Sequence, residues 1–308
     1  MRLRNIIFSL LAFIIPACHQ SAAIHRVKPT EVIQLWTVED DLMFGTECSL
    51  YCYKPENPNG IGMVICPGGS YCWLDESGEG LDVAEWFYNE GFTTYVLMYR
   101  TAGFGAFIWH YRYLWRGNRH PDMIMDAQRA LQWVREHAGQ YGVDQDKVGI
   151  MGFSAGGHLA LSTACFSSTN FISETVSGGG RETDLRPDFV AAVYPVVTLK
   201  GQYAHSRSRR GLLGDDRQSN TVMKDSLSIQ NHIHADFPPV FVTNCVDDPV
   251  VDYHNSMILD EALTQFGVPH KYIQYHIGKH GYGVSDVYAT PETRRWKYEF
   301  LDWVRETI

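Results

Sequence analysis

From residue 48 onward, short apolar runs alternate with longer segments in which apolar positions recur every three or four residues. The short runs are Cys48–Tyr53, Gly62–Cys66, Thr93–Tyr99, Lys147–Met151, Phe189–Val197, Val240–Cys245 and Lys271–Ile277. The longer segments include Leu81–Asn89, Asp122–His137, Gly156–Cys165, Tyr253–Phe266 and Glu292–Glu306. In Asp122–His137, the residues Ile124, Ala127, Ala130, Leu131 and Val134 fall on one apolar stripe, as a helix lying on a core requires. Strands alternating with helices predict a mainly parallel sheet with helices on both faces. No internal repeat and no Pro- or Ser-rich linker divides the pattern, so residues 24–308 are expected to form a single domain.

Three segments break the rhythm. Phe104–Trp115 is crowded with aromatics, Trp109 and Trp115 among them. Ser167–Leu185, with Gly178-Gly179-Gly180, reads as a polar surface loop. Gly201–Asp225 carries Arg207, Arg209 and Arg210 and is expected to be a solvated excursion rather than an anion site.

Ahead of the pattern, Arg2 and Arg4 precede an apolar stretch, Ile6–Ile15, that is far short of the roughly 20 apolar residues a membrane span needs. This reads as a signal peptide over residues 1–23. Ile15-Pro16-Ala17-Cys18 resembles a bacterial lipobox, which would make Cys18 a lipid anchor. Ser21-Ala22-Ala23 offers an ordinary cleavage site instead. Either exit predicts an exported protein, periplasmic, at the cell surface or secreted. No later segment has the length and apolarity of a transmembrane helix.

Composition narrows the partners. A net charge of −9 over 308 residues argues against a general nucleic-acid binder, which needs a basic face to neutralise phosphates. Cys48 and Cys52 stand about 13 Å apart along one strand, too far to bridge each other, though either could reach a distant partner. Cys66, Cys72, Cys165 and Cys245 sit in contexts typical of small buried hydrophobes. No pair has metal-site spacing, so no metal is expected.

The strongest chemical signal is Gly152-Phe153-Ser154-Ala155-Gly156, directly after the run Lys147–Met151 and directly before an apolar helix. A serine at the tip of a tight strand-to-helix turn takes up a strained backbone and tolerates only tiny neighbours two positions away. The helix behind it offers amide hydrogens to a developing oxyanion, that of Ala155 first. Such a serine needs a base oriented by an acid, and this elbow is followed in chain order by the acid and then the histidine. Of His254, His270, His276 and His280, only His280 lies in a glycine-rich loop past the last strand and before the final helix. Asp247 and Asp248 both follow the run Val240–Cys245, and position alone does not separate them; Asp252 is a more distant candidate. The second oxyanion amide is expected from Gly69 or Ser70, in Cys66-Pro67-Gly68-Gly69-Ser70-Tyr71 after the run Gly62–Cys66.

These blocks, in this order, resemble the acetylxylan esterase and carbohydrate esterase branch of the α/β-hydrolases. The resemblance runs from about Cys48 to the C-terminus. It includes Val96-Leu97-Met98-Tyr99-Arg100, His120-Pro121, Val143-Asp144, Pro238-Pro239-Val240-Phe241, Asp247-Asp248-Pro249-Val250-Val251 and Gly278-Lys279-His280-Gly281. It implies an α/β-hydrolase fold and selects Asp248, the aspartate directly before the proline. It further implies acyl transfer from an ester of a sugar alcohol to Ser154, with His280 shuttling the proton and no cofactor. Asn244-Cys245 stands where many relatives have His-Gly, and Cys66-Pro67 replaces the histidine of lipase-type relatives. Tyr71, Trp109 and Trp115 are expected to contact an acylated carbohydrate, the aromatic segment being either a sugar-stacking platform or a hydrophobic flap. Three other readings compete. One is a feruloyl-type esterase, and another is a serine peptidase, which normally carries a large extra domain before the hydrolase region. The third is a glycan-binding lipoprotein whose catalytic groups have decayed, which an intact Ser, Asp and His argues against.

Overall fold

The computed structural model describes residues 27–36, 47–103, 117–172 and 184–308. The expected leader over residues 1–23 with Cys18, the aromatic segment with Trp109 and Trp115, and most of the glycine-rich loop near 178 lie outside them. Eight strands form one sheet: β1 (Glu31–Gln34), β2 (Ser49–Tyr53), β3 (Gly60–Cys66), β4 (Thr93–Met98), β5 (Val143–Phe153), β6 (Val190–Val193), β7 (Val240–Cys245) and β8 (His270–Tyr275). Their spatial order is β1-β2-β4-β3-β5-β6-β7-β8. Only the β1–β2 and β2–β4 pairs are antiparallel, and every pair from β4 to β8 is parallel. This is the α/β-hydrolase fold, as the alternating pattern and the resemblance predict.

Alternation along the strands sends side chains to two separate cores. Val64, Val240 and Val242 join one, with Ile124, Leu131, Leu159 and Leu263 from the helices α2 (Asp122–His137), α3 (Ala155–Cys165) and α6 (His254–Gln265). Met63, Ile65 and Phe241 join the other, with Val83 and Phe87 of α1 (Asp82–Asn89) and Trp296, Phe300 and Val304 of α7 (Trp296–Thr307). α3 is buried from Ala155 to Ala164, which is why its sequence is apolar all round instead of striped. The six cysteines among the described residues are thiols, five of them fully buried.

One element goes beyond the sequence pattern, and one expectation needs correction. β1 carries no strand signal in sequence, since it has four residues and only Ile33 is buried. Pairing with β2 makes it a strand. The stretch Gly201–Asp225 is not a solvated excursion throughout. It contains α4 (Ser206–Leu213) and α5 (Thr221–Ser226), and the buried Leu212 and Leu213 anchor α4 to the domain. Gly211 of α4 lies against the carbonyl oxygen of Ser70, so this helix covers the glycine-rich loop after β3.

Candidate active site

Parallel pairing brings the carboxyl ends of β3, β5, β6 and β7 into line. Cys66 pairs with Gly152, Phe153 with Val193, and Val193 with Thr243. The segments that follow, starting at Pro67, Ser154, Tyr194 and Val246, therefore emerge side by side, where open α/β sheets carry their sites. The segment after β8, which holds His280, joins them.

Ser154 sits between β5 and α3 with φ 54° and ψ −117°, a conformation disfavoured for any residue bearing a Cβ. Close backbone contacts hold it there: its amide donates to Val193 O (3.0 Å), and its carbonyl accepts from Val196 N (3.1 Å) and His158 N (3.2 Å). The flanking glycines are required by contact. A Cβ on Gly152 would fall onto the carbonyl of Gly156, and one on Gly156 onto the carbonyl of Cys66.

His280 Nε2 lies 2.9 Å from Ser154 Oγ, and its Nδ1 lies 2.6 Å from Asp248 Oδ2. The Asp248 carboxylate is almost fully shielded, while 14% of the His280 side chain stays open to solvent. Asp248 Oδ1 accepts the amides of Val250 (2.8 Å) and Val251 (3.0 Å), which holds the carboxylate in place. Asp247 points elsewhere. Its Oδ1 accepts the amides of Gly278 and Lys279, both at 2.8 Å, and so ties the histidine loop to the end of β7. Asp252 bonds His254 instead (2.6 Å).

The loop after β3 runs through three left-handed positions: Gly69 (φ 133°), Ser70 (φ 58°) and Tyr71 (φ 61°). The amides of Gly69, Ser70 and Ala155 meet no acceptor among the described residues. Ala155 opens α3, where first-turn amides are unpaired by geometry. Tyr71 does not meet its expectation as a substrate contact. Its side chain is buried, and its hydroxyl donates to His158 Nδ1 (2.8 Å) while the ring packs edge-on against Tyr99. Burial of the whole ring leaves it no face for a ligand. Trp109 and Trp115 lie outside the described residues.

Several residues near Ser154 carried no legible signal. Glu79 lies in a single π-helical turn, Glu76–Leu81, and is buried. Its Oε2 accepts the Gly68 amide (2.7 Å) and its Oε1 the Tyr194 hydroxyl (2.8 Å). Burial, and secondarily the charge of Asp75, pushes its carboxyl up to about 7. In sequence Glu79 stands among glycines and acids, which looks like an exposed turn. His158, four residues past Ser154, is neutral: burial pulls it down to about 4, and its Nε2 donates to Leu227 O (2.9 Å).

A buried aspartate, a histidine and a strained serine in one hydrogen-bonded chain at the carboxyl edge of this sheet place the protein among the α/β-hydrolases. Residues 78–263 match the BD-FAE family, and the chain belongs to that family. The chain is 31% identical over 226 residues to endo-1,4-beta-xylanase B of Butyrivibrio fibrisolvens, an alignment covering 73% of this chain and 33% of that protein. It is 28% identical over 241 residues to an acetylxylan esterase of Xylanibacter ruminicola, covering 77% and 44%. It thus spans well under two thirds of the length of either relative. Among solved structures, an acetyl ester-xyloside bifunctional hydrolase from Caldicellulosiruptor lactoaceticus superposes with a TM-score of 0.75 at 27% identity, covering 91% of this chain and 97% of that one. An esterase from Thermogutta terrifontis superposes with a TM-score of 0.66 at 23% identity, covering 89% and 94%, and shares the fold.

Proposed function

We propose that the protein is a serine esterase that removes acyl groups, acetyl foremost, from carbohydrate such as xylan or its oligosaccharides. The observation that carries this reading is the continuous chain Asp248–His280–Ser154, with distances of 2.6 and 2.9 Å. The preference for acetylated carbohydrate leans on the acetylxylan esterase and the acetyl ester-xyloside hydrolase among its relatives.

In this mechanism His280 Nε2 takes the proton of Ser154 Oγ as the oxygen attacks the ester carbonyl carbon. The amides of Ala155 and of Gly69 or Ser70 receive the oxyanion, which they meet without reorganising, having no acceptor among the described residues to give up. The tetrahedral intermediate collapses with cleavage of the bond to the sugar oxygen, and the imidazolium returns its proton to that oxygen. Water then attacks the acyl-serine with His280 again as base, releasing the acid and restoring Ser154. Asp248 holds His280 in the tautomer with Nδ1 protonated and stabilises the imidazolium in both halves.

The test is release of acetate from acetylated xylan, beside hydrolysis of methyl ferulate and 4-nitrophenyl acetate, by wild type and Ser154→Ala. Wild type should be active on the acetylated substrates, and the variant should lose at least about 10³-fold in kcat. Equal, slow hydrolysis by both proteins sinks the esterase reading. A preference for methyl ferulate would leave the mechanism standing and replace the acetyl group by an aromatic acyl group.

A further inference from the structure

Glu79 performs no step in that mechanism, yet its two side-chain hydrogen bonds end on loops that flank Ser154. A carboxyl group withdrawn from water is costly unless its oxygens are engaged, and here each oxygen has one short partner. Oε2 holds the amide of Gly68, next to the expected oxyanion donor Gly69. The fit is tight, since a Cβ on Gly68 would fall onto this oxygen and crowd the Ser154 Cβ. Oε1 holds the hydroxyl of Tyr194, which in turn accepts the amide of Gly283, three residues past His280. Tyr194 leaves β6 at φ 39°, and its ring lies 4.6 Å from the His280 ring. A continuous path therefore runs from the oxyanion loop through Gly68, Glu79, Tyr194 and Gly283 to the histidine loop.

We propose that Glu79 is a positioning residue, whose carboxyl group sets the spacing between the oxyanion donors and His280 by holding Gly68 with one oxygen and Tyr194 with the other. This rests on the esterase reading above. An oxyanion hole acts only when its donors stand within hydrogen-bond range of where the charge develops, and errors near 1 Å at a reacting centre cost on the order of 10²-fold in rate. Glu79 acts through Gly68 and Tyr194 and touches no reacting atom. Its removal should therefore lower kcat while leaving KM nearly unchanged.

The experiment is a double-mutant cycle on 4-nitrophenyl acetate with Glu79→Ala, Tyr194→Phe and the double variant. It is run well below the melting temperature of each, with competent sites counted by burst titration. Glu79→Ala should lower kcat per competent site by about 100-fold with KM within about threefold. Glu79→Gln, which keeps one acceptor oxygen for Gly68, should lose about tenfold less than Glu79→Ala. Tyr194→Phe retains the ring against His280 and should cost about tenfold alone but less than about twofold in the Glu79→Ala background, because the path is already cut. Costs that multiply, or variants with lowered melting temperatures but normal kcat per competent site, overturn the proposal while wild-type activity keeps the esterase reading intact. A wild type inactive on every ester removes both.

Discussion

Ser154 is held at φ 54° by backbone bonds to Val193, Val196 and His158, so its position does not depend on its own side chain. Replacement by alanine should therefore leave the elbow in place. The two neighbouring aspartates divide their work by direction alone. Asp248 orients His280, and Asp247 ties down the backbone at Gly278 and Lys279. In the proposed mechanism Asp248→Asn should lower kcat by roughly 10⁴-fold, because an amide cannot hold the same histidine tautomer or stabilise the imidazolium. Asp247→Asn should cost little, since its amide oxygen can still accept both backbone amides. Steady-state kinetics on 4-nitrophenyl acetate checks this, and a larger loss for Asp247→Asn would exchange the two roles. From the residues alone Asp247 and Asp248 were equivalent, because one position along a turn reverses a side chain without changing its chemistry. Resemblance selected Asp248, and it is the one whose carboxylate reaches His280.

Among elements, the end of β4 is bound to α2 by a buried ion pair. Arg100 Nη2 and Asp126 Oδ1 are 2.7 Å apart, with both side chains almost fully enclosed. Asp126 also accepts the Arg100 amide (2.8 Å) and the Trp36 indole (2.6 Å). Burying such a pair gains little over an apolar contact, but removing one partner leaves a charge stranded. Asp126→Asn should destabilise the fold by about 3–5 kcal/mol in urea titration. A change below about 1 kcal/mol would mean that water reaches Arg100. Neither residue advertises the pairing, as Asp126 lies amid the apolar positions of an otherwise ordinary amphipathic helix. The helices themselves were far more legible. Asp122–His137 matches its predicted bounds, because its apolar stripe lies on the sheet, whereas α4 was missed because its three arginines mask the buried Leu212 and Leu213.

For the molecule as a whole, burial sets an acid limit. His120, His158 and His205 are each pulled from an ordinary 6.5 to about 4, chiefly by burial. The folded protein keeps them neutral while the unfolded chain takes up protons below about 6.5. Their contribution is therefore fully present above pH 6.5 and is lost as pH falls towards 4. Glu79 has the opposite sign: its raised value makes the fold relatively more stable as pH falls through 7. His158→Gln isolates one histidine from this sum. Between pH 6.5 and 4.5 its unfolding free energy should fall less steeply than that of wild type by one proton, about 1.4 kcal/mol per pH unit. Parallel slopes in urea titrations across this range would show that His158 is protonated in the fold.

The amino-acid sequence by itself determined the strand–helix alternation, the elbow at Ser154 and the loop around His280. These are local matters: apolar period, glycine at crowded turns, and chain order after a strand. Tertiary structure decided what depends on which distant atoms meet. It turned Asp248 rather than Asp247 towards His280, and it drew Tyr71 inward against His158. It also enclosed Glu79 between two loops where a run of glycines and acids suggested an open turn. The direction of a side chain and its access to water are set by elements far away in the chain, so no local pattern records them.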